Sequence, residues 1–268
     1  MVEVDREKIF ETNRDAAGII EKYIRPASFP VAVRISEHQD LPEGTRRPLE
    51  ALGHPITICQ GISMARNMGW ALGFLREDHA CAPSFVSLGL VEAPEVWKNG
   101  ALVHPLYGET QEICARTQEA LPALPLGRAA SILLAPLAKA DFKPDIILVY
   151  GLPAQVARLV HSALYRRGGA FSTTYAGRNS CTSELVAPLL DQSCHLVVPG
   201  SGERLFAHTQ DHEMCFTFHR SWLDDITFGL AATHKAGAMR FPTPFSGMRA
   251  KVDFPKKYKE LENQFGIK

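Results

Sequence analysis

Six cysteines, Cys59, Cys81, Cys114, Cys181, Cys194 and Cys215, carry the sharpest chemistry in this 268-residue chain. A thiolate is both a nucleophile and a soft metal ligand, and a helix N-terminus or a nearby cation stabilises it. Cys59 and Cys181 each precede a stretch that reads as a helix, and Arg178 lies close to Cys181. Cys81 falls in an irregular stretch broken by Pro83 and Gly89. None of the six forms a CxxC pair, so ferredoxin and zinc-ribbon spacing is missing, and any metal site must be assembled from distant segments. Cys114, in TQEICARTQEAL, and Cys215, in the strand-like MCFTF, fit the ordinary role of cysteine as a small buried hydrophobe.

Other residues could join them. His79 stands two residues before Cys81 and His195 directly after Cys194, so each could bring an imidazole to a thiol. Glu184, three residues beyond Cys181, suits a capping box or acid/base chemistry. Tyr150, Gln155 and Tyr165 could line a pocket at a strand end, although a tyrosine with a satisfied hydroxyl is the ordinary explanation. In Gly200-Ser201-Gly202-Glu203-Arg204, successive backbone N–H groups could cradle an anion, with Arg204 adding its fork of donors. The same residues also suit a tight strand-to-strand turn. Arg66 and Arg158, on helical stretches, are of a kind that more often covers apolar neighbours at the surface. No GxxxxGK[ST] loop, strand-linked GxGxxG, HExxH or GxSxG is present, which disfavours common nucleotide, zincin and serine-hydrolase chemistries.

The elements that must position these residues follow from periodicity. Ile9, Ala16, Ile19, Ile20 and Tyr23 recur at helical spacing over residues 5–24. Residues 29–35 form a β-branched run, and Ile62, Ala65 and Met68 mark one face of a helix after Cys59. Runs at 131–135 and 146–150 read as strands joined by a polar turn and able to pair antiparallel; Pro153 then opens a helix through Tyr165. A short helix over 182–190, strands at 195–198 and 214–218, and a helix over 222–232 complete the pattern. There is no regular βαβ alternation, so the expected fold is α+β: a single compact domain over residues 1–250, its mainly antiparallel or mixed sheet covered by helices, with a polar tail over 251–268.

Composition narrows the function classes. Lys plus Arg balances Asp plus Glu at 29 each, without a long like-charge run, so neither nucleic acid nor an anionic membrane is an expected partner. The acidic, polar start is unlike a signal peptide, and scattered cysteines without an export signal point to reduced thiols in the cytoplasm.

Several segments together resemble the uncharacterised domain-of-unknown-function family 169, found in archaea and mainly anaerobic bacteria. They are Phe29 to Val33, Cys59-Gln60 to Ala65-Arg66, His79-Ala80-Cys81 with Leu88-Gly89-Leu90, Ala135-Pro136-Leu137, Tyr150 to Gln155, Cys181 and Gly200 to Arg204. The resemblance implies a compact mixed α/β cytoplasmic domain with cysteines at the positions of Cys59, Cys81 and Cys181. Ala82-Pro83-Ser84-Phe85 is bulkier than the Gly/Ala-rich stretch usual there. Three such thiols would leave one iron of a [4Fe-4S] cluster open as a Lewis acid.

The resulting expectation is a cytoplasmic iron–sulfur protein, of lyase, hydrolase or reductase type. Cys59, Cys81 and Cys181 are its ligands and Cys194 the reserve; Arg66, Gly200, Ser201, Gly202 and Arg204 hold a small anionic molecule. The alternatives are a metal-free ligand-binding or regulatory domain using the glycine-rich loops, and a thiol or redox protein centred on Cys181. A homodimer is the default among soluble oligomers.

Overall fold

A strand whose residues are apolar throughout must be covered on both sides, and this governs the architecture. The computed structural model describes residues 2–174, 176–237 and 255–266. Its six strands are β1 (Val31–Ser36), β2 (Leu72–Phe74), β3 (Ser131–Pro136), β4 (Ile146–Gly151), β5 (Cys194–Val197) and β6 (Met214–His219). They form one sheet in the order β2-β3-β1-β4-β6-β5, every neighbouring pair antiparallel. The fold is α+β.

On one face, Ala32, Leu133, Ala135, Ile147, Val149, Phe216 and Phe218 pack beneath three long helices. These are α1 (Val2–Ile24), α7 (Pro153–Arg167) and α10 (Leu223–Ala236). On the other, Val33, Phe74, Leu134, Leu148 and Tyr150 meet Ile58, Ile62, Ala65 and Leu185 from shorter elements. In chain order the remaining helices are α2 (Pro48–Leu52), α3 (Ile58–Ser63), α4 (Ala82–Ser87), α5 (Glu95–Lys98), α6 (Gln111–Glu119), α8 (Ala187–Asp191), α9 (Ser201–Phe206) and α11 (Lys256–Gln264). The boundary expected near residue 250 lies outside the described residues; α11, within the expected tail, buries no side chain.

Two expectations need correction. Strands β3 and β4 do not form a hairpin: β1 lies between them, in register from Val31↔Pro136 to Ser36↔Ser131 on one side and from Val31↔Leu148 to Val33↔Ile146 on the other. An apolar strand gains more from a central place, where both edges are bonded and both faces covered, than from an edge. Residues 200–204 do not form a strand-to-strand turn either. Gly200 is the N-cap of α9.

In the helical layer, α7 and α10 touch through glycine: a Cβ on Gly229 would sit 2.1 Å from the Ser162 carbonyl oxygen. Gly229→Ala is expected to cost about 1–3 kcal/mol, as overpacking does, in urea denaturation. Gly18→Ala, on the exposed side of α1 with nothing within 4 Å of the new Cβ, should instead stabilise by up to about 1 kcal/mol through helix propensity.

Candidate functional site: a cysteine-lined pocket

Three separate local structures bring Cys59, Cys81 and Cys181 to the same side of the sheet. Thr57 caps α3 in a reciprocal box, its Oγ1 accepting from Gln60 N at 3.1 Å and Gln60 Oε1 accepting from Thr57 N at 2.9 Å. This sets Cys59 in the first turn of α3. Cys81 is the N-cap of α4. The two segments are stitched together by Ile56 N donating to Asp78 O (2.9 Å) and Ala80 N donating to Ile56 O (3.0 Å). Asp78, fully buried, anchors the stitch by accepting from Arg47, Leu49 N and Leu75 N. The Cys181 segment is tied to α4 by Asn179 Nδ2 donating to Ser87 Oγ (2.6 Å) and to α9 by Gly200 N donating to Ser180 Oγ (2.8 Å).

Wide helical turns follow two of these cysteines, π-helical over Met64–Met68 after α3 and over Thr182–Val186 after Cys181. Such turns recur at functional sites because they re-aim side chains at a cost in helix regularity.

The result is a cavity of about 150 Å³ lined by all three cysteines together with Arg178, Ser201, Gly202 and Glu203. Cys59 and Cys81 are half-buried and Cys181 is buried. Withdrawal from solvent pushes the Cys59 thiol well above its ordinary value, and the Glu203 carboxyl adds to this. Burial does the same for Cys181, with Cys81 the next contributor. Cys181 Sγ donates to Asn179 Oδ1 at 3.1 Å. Among the described residues, no three His, Cys, Asp or Glu side chains are grouped so as to hold a single metal ion.

Behind the pocket lies a buried acid pair; the sequence marks Glu184 and Tyr150 separately and Glu203 only as part of Gly200 to Arg204, and their pairing is not legible in it. Tyr150 Oη is 2.8 Å from Glu203 Oε1 and 3.0 Å from Glu184 Oε1, with Glu184 fully buried and Glu203 nearly so. A phenol has one proton to donate, so it can serve one carboxylate; the second close contact requires a carboxyl proton. Burial, and then the charge of its neighbour, pushes Glu184 well above its ordinary 4.5, and burial raises Glu203 as well. Two carboxyls in one dry site cannot both ionise. Glu203 alone of the pair lines the cysteine pocket. Its only sequence signal is its place three residues after the Gly200 cap.

Of the other expected residues, Ser201 and Gly202 line the pocket, whereas Arg66 and Arg204 do not. Arg66 is buried, pairs with both carboxylate oxygens of Glu213 (2.8 and 3.1 Å) and stacks 4.1 Å over the Tyr150 ring. Arg204 donates to the carbonyls of Pro199 and Gln210. Arg158 is buried too, reaching the Leu230 carbonyl on α10, so the surface role expected of Arg66 and Arg158 gives way to interior pairing. Cys194 lies in the core of the opposite sheet face, beneath the long helices. His79 packs between the rings of Phe74 and Phe85, and burial lowers it to about 4. His195 pairs with Asp191 (2.8 Å) and also stands apart from the pocket. Gln155 caps α7, and Tyr165 rests half-exposed beside Phe228. Cys114 and Cys215 are fully buried.

Fold and site together define an α+β domain with a cysteine-lined pocket opening beside a covered antiparallel sheet. A family model for domain-of-unknown-function family 169, described as an uncharacterised ArCR family, matches residues 19–228, and the chain belongs to that family. It is 28% identical over 220 residues to an uncharacterised protein of Methanocaldococcus jannaschii, covering 81% of this chain and 92% of the other. No solved structure matches. No helix among the described residues is long and apolar enough to cross a membrane.

The acid pair makes stability fall as pH rises. Both carboxyls sit above 4.5 in the folded state, so their contribution is fully present below that value and is lost as pH climbs through the folded values. Replacing both with glutamine, the neutral isostere, should flatten the decline in unfolding free energy between about pH 5.5 and about pH 8 relative to the wild type. Equal slopes in urea denaturation would mean that the pair is fully ionised.

Proposed function

We propose that this protein holds a [4Fe-4S]-type cluster through Cys59, Cys81 and Cys181 and acts on a small anionic molecule beside it. The observation that carries the reading is the convergence of these three thiols, from α3, the α4 cap and the 178–182 segment, on one cavity. A single ion would need its sulfurs within about 4 Å of one another, given Zn–S bonds of about 2.3 Å, whereas a cubane spreads its ligands over separate irons.

When bound, such a cluster would supply a Lewis-acidic iron with one open position. The chain's own residues have separate work. Arg178 and Ser201 offer donors to an anion, and Glu203, backed by Tyr150 and Glu184, holds a proton at the pocket wall. The anion-holding role expected of Arg66 and Arg204 finds no support in their positions. The raised thiols of Cys59 and Cys181 count against a free nucleophile at neutral pH, because an attacking thiol must first lose its proton.

Protein purified without oxygen should carry about four irons and about four sulfides per chain, with absorbance near ~400 nm. Cys59→Ala, Cys81→Ala and Cys181→Ala should each lose most of it, while Cys194→Ser, on the other side of the sheet, should keep it. Colourless protein that takes up neither iron nor sulfide on reconstitution would sink the proposal.

A further inference from the structure

Two arginines are buried close to the pocket side of the sheet, and they are treated differently. Arg66 has Glu213 as a bidentate partner. Arg178, only 6% exposed, has its Nη1 buried without a hydrogen-bond partner among the described residues, and its guanidinium lies near the rings of Tyr107 (4.8 Å) and Trp97 (5.9 Å). Ring faces attract a guanidinium but do not replace its hydration, so a cation left this way is an incomplete ion pair.

We propose that Arg178 anchors the carboxylate of a small organic acid in the cysteine pocket. This deepens the proposed function by naming the class of its anionic molecule, and it rests on the same pocket. The neighbours select a carboxylate over a phosphate. Among the described residues, Arg178 is the one cation in the cavity lining, and Glu203 shares that lining. A single guanidinium beside an acidic group suits the one charge of a carboxylate, whereas a phosphate brings up to two charges. The Tyr107–Ser201 hydroxyl pair, 3.2 Å apart, has one proton to spare for a carboxylate oxygen. Val103 and Pro83 line the same cavity and give a short apolar body something to pack on.

Propionate and inorganic phosphate, titrated separately into the full-length protein by calorimetry, test this. Propionate should bind the wild type more tightly than phosphate does. Arg178→Gln should weaken propionate by about tenfold or more, the loss of one charge-assisted contact, and the exposed Arg166→Gln should not. Unchanged propionate affinity in Arg178→Gln, no propionate binding to the wild type, or tighter phosphate would overturn the proposal. Should Arg178→Gln not fold, the guanidinium N–H resonance missing from Arg178→Lys must shift when propionate is added to the wild type; a stationary resonance rejects the contact. Iron and sulfide, measured on the same samples, separate the two readings. Iron-free protein that binds propionate through Arg178 removes the cluster alone, and iron-loaded protein indifferent to Arg178→Gln removes the carboxylate anchor alone.

Discussion

Strand β4 runs near the middle of the sheet with all six of its residues buried, and so does β3. Each fully buried aliphatic side chain contributes about 1.5–3 kcal/mol, so neither face of these strands can be left to water. Covering both faces divides the molecule into layers of different character. The α1, α7 and α10 layer is made of long helices in close contact, down to backbone against backbone at Gly229. The opposite layer is assembled from short helices, π-turns and capped loops. Short elements cannot tile a sheet without gaps. One gap between them is the cysteine pocket.

The polar groups beside the pocket obey one rule in different ways: a buried charge needs a partner or must lose its charge. Arg66 and Glu213 solve this by pairing. Burial by itself would raise Glu213, but hydrogen bonds from Arg66 hold it below its ordinary value. Glu184 and Glu203, which form no ion pair among the described residues, solve it by retaining a proton around Tyr150. Arg178 does neither within the described residues, since a guanidinium stays protonated in proteins. The contrast leaves Arg178 as the unpaired charge in the wall of the cysteine pocket.

Much of the scaffold was legible from local signals. The apolar spacing of Ile9 to Tyr23 marked α1, Pro153 marked the start of α7, and the β-branched runs marked β1, β3 and β4. The placement of Cys59 near a helix start was legible too, because Thr57 and Gln60 form a capping box within four residues. What failed was pairing. The turn between β3 and β4 says nothing of β1, which arrives from about a hundred residues earlier and takes the place between them. The glycines at 200 and 202 suit an anion-cradling loop or a tight turn as well as the helix start that α9 makes of them.

The sequence by itself determined the α+β class, the approximate elements and the trio of cysteines worth following, since each is written in residue types and their short-range spacing. Only the tertiary structure decided that Cys194 belongs to the opposite face, that Arg66 is already neutralised, and that Arg178 and Glu203 line the pocket with the thiols, Tyr150 standing behind Glu203. The physical reason is that a side chain's charge state and availability depend on which distant groups share its dry volume. That is set by strand order and layer packing, and residue spacing along the chain does not carry it.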